Sequence, residues 1–270
     1  MRYLLKVKFL KTLFGNRIWR NWKVKKGVMV GDYKHLNNYI KEYAPNHSFV
    51  DIGCMWGVNG AFAFYAEEVG ATKVKGVDVF GPTPEFTNEK SVRNSSVEFI
   101  LGDACSADTI KKVGVVDVVF CAGVLYHHPS PYDLLVALRQ MCNKTLILRT
   151  STIPEVNGLP NAAVYFPMLS EKDRALWNLK SLGVGKQVGI TDGFEPDQGY
   201  GNWFWGLTPS CLISLVETAG FKVINQATEA FVQTLVCSTV SPPFYHTIPD
   251  PIEALNFGRE ISEKGIAKPA

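Results

Sequence analysis

No two of the six cysteines form a Cys-x-x-Cys pair, and Cys54, Cys105, Cys121, Cys142, Cys211 and Cys237 are widely spaced and mostly sit inside apolar runs. This argues against a disulfide framework or a structural zinc site and fits a reducing cytosol. Apolar runs of the ~20 residues needed to cross a bilayer are missing, and no small-residue cleavage site follows a signal-like core. A soluble or peripheral cytoplasmic protein is therefore expected. Internal repeats and low-complexity tracts are lacking too. Histidine is scarce at five residues, and His35, His47 and His246 stand isolated, so no metal-ligand cluster is legible.

Acids are missing from residues 1–30, which hold nine Lys or Arg, whereas the other 240 residues carry 19 basic against 25 acidic side chains. The formal charge of +3 thus hides a basic arm on a mildly acidic body. Within the arm, Leu10, Leu13, Phe14 and Ile18 recur at helical spacing between basic residues. That pattern suits a helix touching a membrane surface, a lipid-linked substrate or a partner, but a helix packed on the body is the more ordinary reading.

With 270 residues, 46% of them hydrophobic, the chain is long enough for one sizeable core with an insertion. The pattern divides into a basic arm (1–32), a core (33–150), an insertion (151–207) rich in Gly, Pro, Asn and aromatics, the end of the core sheet (208–240) and a proline-rich tail (241–270). Residues 33–43 read as a helix and 48–52 as a short buried strand ending in an acid. A helix is expected over 58–69, strands over 73–79, 97–101 and 115–121, a helix over 131–142 and a strand over 145–149. A helix over 210–219 and strands over 221–225 and 231–239 follow. Strands alternating with helices imply right-handed crossovers and a largely parallel sheet covered on both faces.

The stretch VDIGCMWGVNG (50–60) is a strand that ends in Asp51 and turns through Gly53 and Gly57 into a helix. Glycines there let the backbone come close to a ligand, and the helix start offers unpaired N–H groups. A dinucleotide fingerprint would have a glycine where Met55 stands, and Asp51 would repel a pyrophosphate; Gly53, Met55 and Gly57 are expected against a different cofactor. The same carboxylate suits a zwitterion with an ammonium group, such as the methionyl part of S-adenosylmethionine. Asp78, followed by Val79 at the end of the next strand, is positioned for a ribose diol. Asp103 and the Ala104 backbone N–H, after the third strand, are positioned for adenine. A single Asp at such a place is more often a helix cap or a solvated turn residue; three at successive strand ends form a constellation.

On these residues the sequence resembles the class I S-adenosylmethionine-dependent methyltransferases. DIGCMWG is similar to their first motif, VDV to the acidic second, GDA to the adenine motif and VVFCAGVLYHH to the fourth-strand motif. The resemblance covers about 48–150 and continues through ETAGFKVI (217–224). It implies a Rossmann-like α/β fold with a seven-stranded, mostly parallel sheet in the order 3-2-1-4-5-7-6, helices on both faces, and the insertion as a lid. It also implies S-adenosyl-L-methionine as cofactor, with Cys121, Ala122 and Gly123 along the methionine moiety.

A narrower resemblance, in GVLYHHPSP (123–131) and NWFWGLTPS (202–210), is to the bacterial tRNA wobble-uridine carboxymethyltransferases. Their cofactor bears an extra carboxylate held by two arginines after the histidine, where this sequence has His128 and Pro129, so ordinary S-adenosylmethionine is expected. The acidic body lacks a broad basic stripe, which ranks a tRNA partner behind a small-molecule, sugar or glycolipid acceptor methylated at a hydroxyl. Such a transfer needs a base, and His127 and His128, after the fourth strand, are the candidates. Tyr126, Tyr165, Tyr200, Trp203 and Trp205 are expected to wall the acceptor, and Arg149 and Arg174 to clamp an acidic group on it. A non-catalytic nucleotide-binding protein is the contrasting expectation.

Overall fold

A computed structural model describes residues 34–174, 193–229 and 231–240. The basic arm (1–32), the tail (241–270) and residues 175–192 of the insertion lie outside the described residues, as does His246.

Helix α1 (Lys34–Tyr43) leads into β1 (Ser48–Ile52), α2 (Ala61–Glu68), β2 (Lys73–Asp78), α3 (Pro84–Val92), β3 (Glu98–Leu101), α4 (Ala107–Val113), β4 (Val116–Ala122), α5 (Pro131–Met141) and β5 (Cys142–Ser151). Short strands β6 (Ala163–Tyr165) and β7 (Trp205–Leu207) come next, then α6 (Pro209–Thr218), β8 (Phe221–Glu229) and β9 (Val232–Thr239). Seven strands form one sheet in the order β3-β2-β1-β4-β5-β9-β8. The first five are parallel, and β9 runs antiparallel to both β5 and β8. With β8 and β9 counted as the sixth and seventh strands of the sheet, this is the order expected.

The strands are apolar on both sides, and alternation sends neighbouring residues to opposite layers. Val50, Ile52, Val119 and Cys121 pack with Leu134, Leu135 and Leu138 of α5 and with Leu212 and Val216 of α6. Phe49, Val118 and Phe120 pack with Leu36 and Ile40 of α1 and Phe62 and Phe64 of α2. Phe120 is wholly buried, with ring neighbours Phe49 at 6.1 Å and Phe62 at 4.8 Å. Burying such a ring contributes about 1.5–3 kcal/mol.

Several element limits differ from expectation. The helix after β1 starts at Ala61 instead of 58, because Gly57, Asn59 and Gly60 all have positive φ and hold 54–60 as turns. Helices α3 and α4 occupy stretches where none was expected. Each is set by a cap: Thr83 accepts from the Phe86 N–H and Ser106 from the Thr109 N–H. Strands β5 and β8 run longer than 145–149 and 221–225, because both pair with β9 along its length. The insertion contains strands, β6 and β7 pairing antiparallel, and a bridge from Thr152 to Leu207 ties it to the end of β5.

Candidate functional site

Strands β1 and β4 are neighbours, yet β1 connects away to β2 on one side while β4 leads to β5 on the other. A crevice opens at the carboxyl ends of the strands where connections diverge in this way. A cavity of about 720 Å³ lies there. Its lining includes Asp51, Gly53, Gly57, Asp78, Val79, Asp103, Ala104 and Ala122 from the core loops. Gly123, Tyr126, His127, His128, Arg149, Arg174, Tyr200 and Trp203 complete the part foreseen in the sequence. Register explains the convergence: Ile52 lies opposite Val77 and Cys121, and Asp78 opposite Leu101, so the strands end nearly level.

The first loop is shaped by sterics. Gly53 has φ +79°, and a Cβ there would fall 2.3 Å from Val124 Cγ2, so the β1 turn and the β4 loop approach at a distance only glycine permits. Asp78 braces the same loop, accepting from the Met55 N–H at 2.7 Å and the Phe80 N–H at 2.9 Å. Each carboxylate oxygen has a further lone pair for a ligand.

Asp51 is 1% exposed, and its Oδ2 has no hydrogen-bond partner. Burial, reinforced by the charge of Asp78, raises its pKa to about 8. The Cys54 and Cys121 thiols beside it are pushed up by burial as well and stay protonated. A buried orphan oxygen flanked by a second carboxylate on a ligand-sized cavity is an environment that a cation would complete. The ammonium of S-adenosylmethionine fits that requirement, and the Gly53 turn leaves backbone room beside it.

The two histidines differ. His127 is half-buried, its Nδ1 lies 2.7 Å from the Asn202 carbonyl, and its ring packs against Tyr126 (4.1 Å) and Trp203 (5.6 Å). Only a donor can face a carbonyl, so Nδ1 carries the proton and Nε2 keeps a lone pair. Burial lowers the pKa of His127. His128 has both nitrogens engaged: Nδ1 faces the Ser130 carbonyl (2.7 Å) and amide (3.0 Å), and Nε2 faces Cys105 Sγ at 3.4 Å. Tyr200 stacks on His128 at 5.6 Å and donates its hydroxyl to Asp103 Oδ2.

Some expected contacts lie elsewhere. Met55 and Cys121 do not line the cavity; their side chains point into the core, at 1% and 0% exposure, and only the Met55 backbone serves the site. Tyr165 and Trp205 are also outside the lining. They pack on each other at 5.0 Å, and the Trp205 indole donates to the Pro129 carbonyl. Arg149 lines the cavity but is already paired with Glu229 at 2.9 Å and contacts His35 at 3.0 Å. Arg174 donates to the carbonyls of Leu169 and Pro167.

Other lining residues were not singled out in the sequence: Trp56 and Phe80, packed at 5.4 Å, and Asn202, which orients His127. Trp56 sits inside the glycine motif, but its 69% exposure is set by the fold.

Residues 50–145 match a family model described as a methyltransferase domain. No curated protein matches the sequence. Among solved structures, magnesium protoporphyrin IX methyltransferase from Synechocystis PCC 6803, with bound S-adenosylhomocysteine, is 17% identical with a TM-score of 0.53, over 88% of this chain and 100% of that one. The N-terminal domain of EvdMO1, with S-adenosylhomocysteine and D-fucose, is 19% identical with a TM-score of 0.52, covering 77% of this chain and 82% of that one. The Burkholderia thailandensis 1,6-didemethyltoxoflavin-N1-methyltransferase is 13% identical with a TM-score of 0.52, covering 89% of each chain. At these identities the likeness establishes the fold. The small molecules named with these proteins differ widely.

Proposed function

We propose that this S-adenosylmethionine-dependent methyltransferase acts on a hydroxyl of a sugar, glycolipid or other small molecule, with His127 as the base. The observation that carries the reading is the arrangement of one cavity. Asp51, Asp78 and Asp103 stand at three strand ends, and Tyr126, His127 and Trp203 also line it. In this reading Asp51 faces the cofactor's ammonium, Asp78 the ribose diol, and Asp103 with the Ala104 N–H the adenine. The cofactor, when bound, supplies an electrophilic methyl group.

The protein's own part is to position an acceptor oxygen and take its proton. Asn202 fixes the His127 tautomer, so Nε2 accepts the proton without ring rotation. His128 is a poorer base because Ser130 and Cys105 hold both its nitrogens. Tyr126 and Trp203, 4.1 Å apart between ring centres, offer the flat apolar surface on which sugar rings or acyl chains settle. The neighbour crystallised with D-fucose supports beginning with sugars.

The test is to incubate the full chain with the cofactor and a panel of sugars, lipid-linked glycosides, phenolic metabolites and unmodified tRNA, following S-adenosylhomocysteine release and methylated product by mass spectrometry. Turnover of a hydroxyl acceptor, lost in His127→Gln, supports the reading. Methylation of tRNA alone, or turnover unaffected by His127→Gln, overturns it.

A further inference from the structure

Three side chains distant in sequence meet at the edge of the cavity without a shared role in the transfer described above. Asp103 and Cys105 follow β3, and His128 follows β4; one carboxylate oxygen, Cys105 Sγ and a ring nitrogen of His128 all lie within 4.8 Å of one another. Two of the three separations a metal would need are partly set by contacts already in place. His128 Nε2 and Cys105 Sγ are 3.4 Å apart. A tetrahedral zinc ion with bonds of about 2.3 Å to sulfur and 2.0 Å to nitrogen spaces those atoms by about 3.5 Å. The Cys105 N–H donates to Asp103 Oδ1 at 2.8 Å, which holds the carboxylate beside the thiol.

The surroundings orient these donors. The shorter Ser130 contact, carbonyl to His128 Nδ1 at 2.7 Å, places the ring proton on Nδ1 and aims the Nε2 lone pair at Cys105. A backbone carbonyl on the distal nitrogen is the usual support of a metal-binding histidine. Tyr200 fixes the other side, stacking on the His128 ring and donating to Asp103 Oδ2. Thiolate with imidazole and carboxylate selects zinc-class ions over magnesium or calcium.

We propose that Asp103, Cys105 and His128 bind a zinc-class divalent cation, with a fourth coordination position open toward the cavity. The ion replaces the proton of the Cys105 thiol, so one S–H bond breaks, one metal–sulfur bond forms and one proton goes to solvent. Because Asp103 is also the adenine partner in the functional reading above, ion and cofactor exclude one another. That competition rests on the reading; the ion site does not.

The experiment is titration of the full chain with Co²⁺ as an optical probe, followed by Zn²⁺. One equivalent of Co²⁺ is expected to produce a thiolate-to-cobalt absorption band that Zn²⁺ abolishes and Mg²⁺ leaves intact. Cys105→Ser loses the band, and His128→Gln binds Co²⁺ at least about tenfold more weakly, with circular dichroism confirming that both variants are folded. Absence of the band in the parent protein, or its persistence in folded Cys105→Ser, overturns the site. Should Cys105→Ser fail to fold, unchanged Co²⁺ affinity in His128→Gln overturns it equally. Saturating S-adenosylhomocysteine is expected to weaken Co²⁺ binding. Simultaneous binding of both overturns the competition, whereas failure of S-adenosylhomocysteine to bind on its own counts against the functional reading and leaves the ion site standing.

Discussion

Asp51 is the residue on which the cofactor argument turns. Its folded pKa of about 8 lies above the ordinary 3.8, so between those values the free protein holds a proton that the unfolded chain has released. Its contribution to stability is therefore greatest below about pH 4 and is lost as pH rises toward about 8. Asp51→Asn mimics the protonated form, so the stability of the parent relative to this variant should fall across that window in urea melts at stepped pH. An ammonium ligand reverses the preference. Calorimetry near pH 7 in buffers of different ionisation enthalpy should show proton release when S-adenosylhomocysteine binds, and no such release in Asp51→Asn. The same proton release in both proteins, or none in either, would contradict the assignment.

His127 and Asp78 give the other tests at this scale. Replacing His127 by Gln should lower kcat by about 10²–10⁴-fold while the affinity for S-adenosylhomocysteine stays near that of the parent. Asp78→Ala should weaken that affinity by about 1–3 kcal/mol, and more if the Met55 and Phe80 amides it holds let the loop relax. Asp51, Asp78 and Asp103 were legible because each ends a short apolar run. Cys105 was not, since its partner His128 lies beyond α4 and β4, and no spacing rule links them.

Among the elements, the strands are the most readable and the polar helices the least. Runs such as SFVDI and VDVVFCA are apolar on both faces, which a buried parallel strand requires. In α3, PEFTNEKSV buries only Phe86, so no apolar stripe marks it, and its start is signalled only by the Thr83 cap followed by Pro84. Strands β6 and β7 are three residues each, too short to show alternation. The β1 turn is the element most sensitive to substitution. Gly53→Ala meets both a positive φ and the Val124 side chain, whereas Gly57→Ala meets a positive φ (+73°) with open space around it. Chemical denaturation should find Gly53→Ala the more destabilised, by more than the roughly 1 kcal/mol typical of Gly-to-Ala conformational penalties. Equal losses would show that the Val124 contact yields.

For the whole molecule, the sheet order places the cavity at the β1/β4 divergence, and the insertion supplies its second wall through Tyr200, Asn202 and Trp203. The order followed from resemblance to a fold; the wall did not, because its contacts to Asp103 and His127 join segments 97 and 75 residues apart. No described helix is long and apolar enough to cross a membrane. The measurement that tests the central claim most directly is calorimetric titration of the full chain with S-adenosylhomocysteine and, separately, NAD. One-to-one binding of S-adenosylhomocysteine in the micromolar range, with none of NAD, is the predicted result. Binding of NAD, or of neither, would contradict the reading of Asp51, Asp78 and Asp103 as the cofactor site.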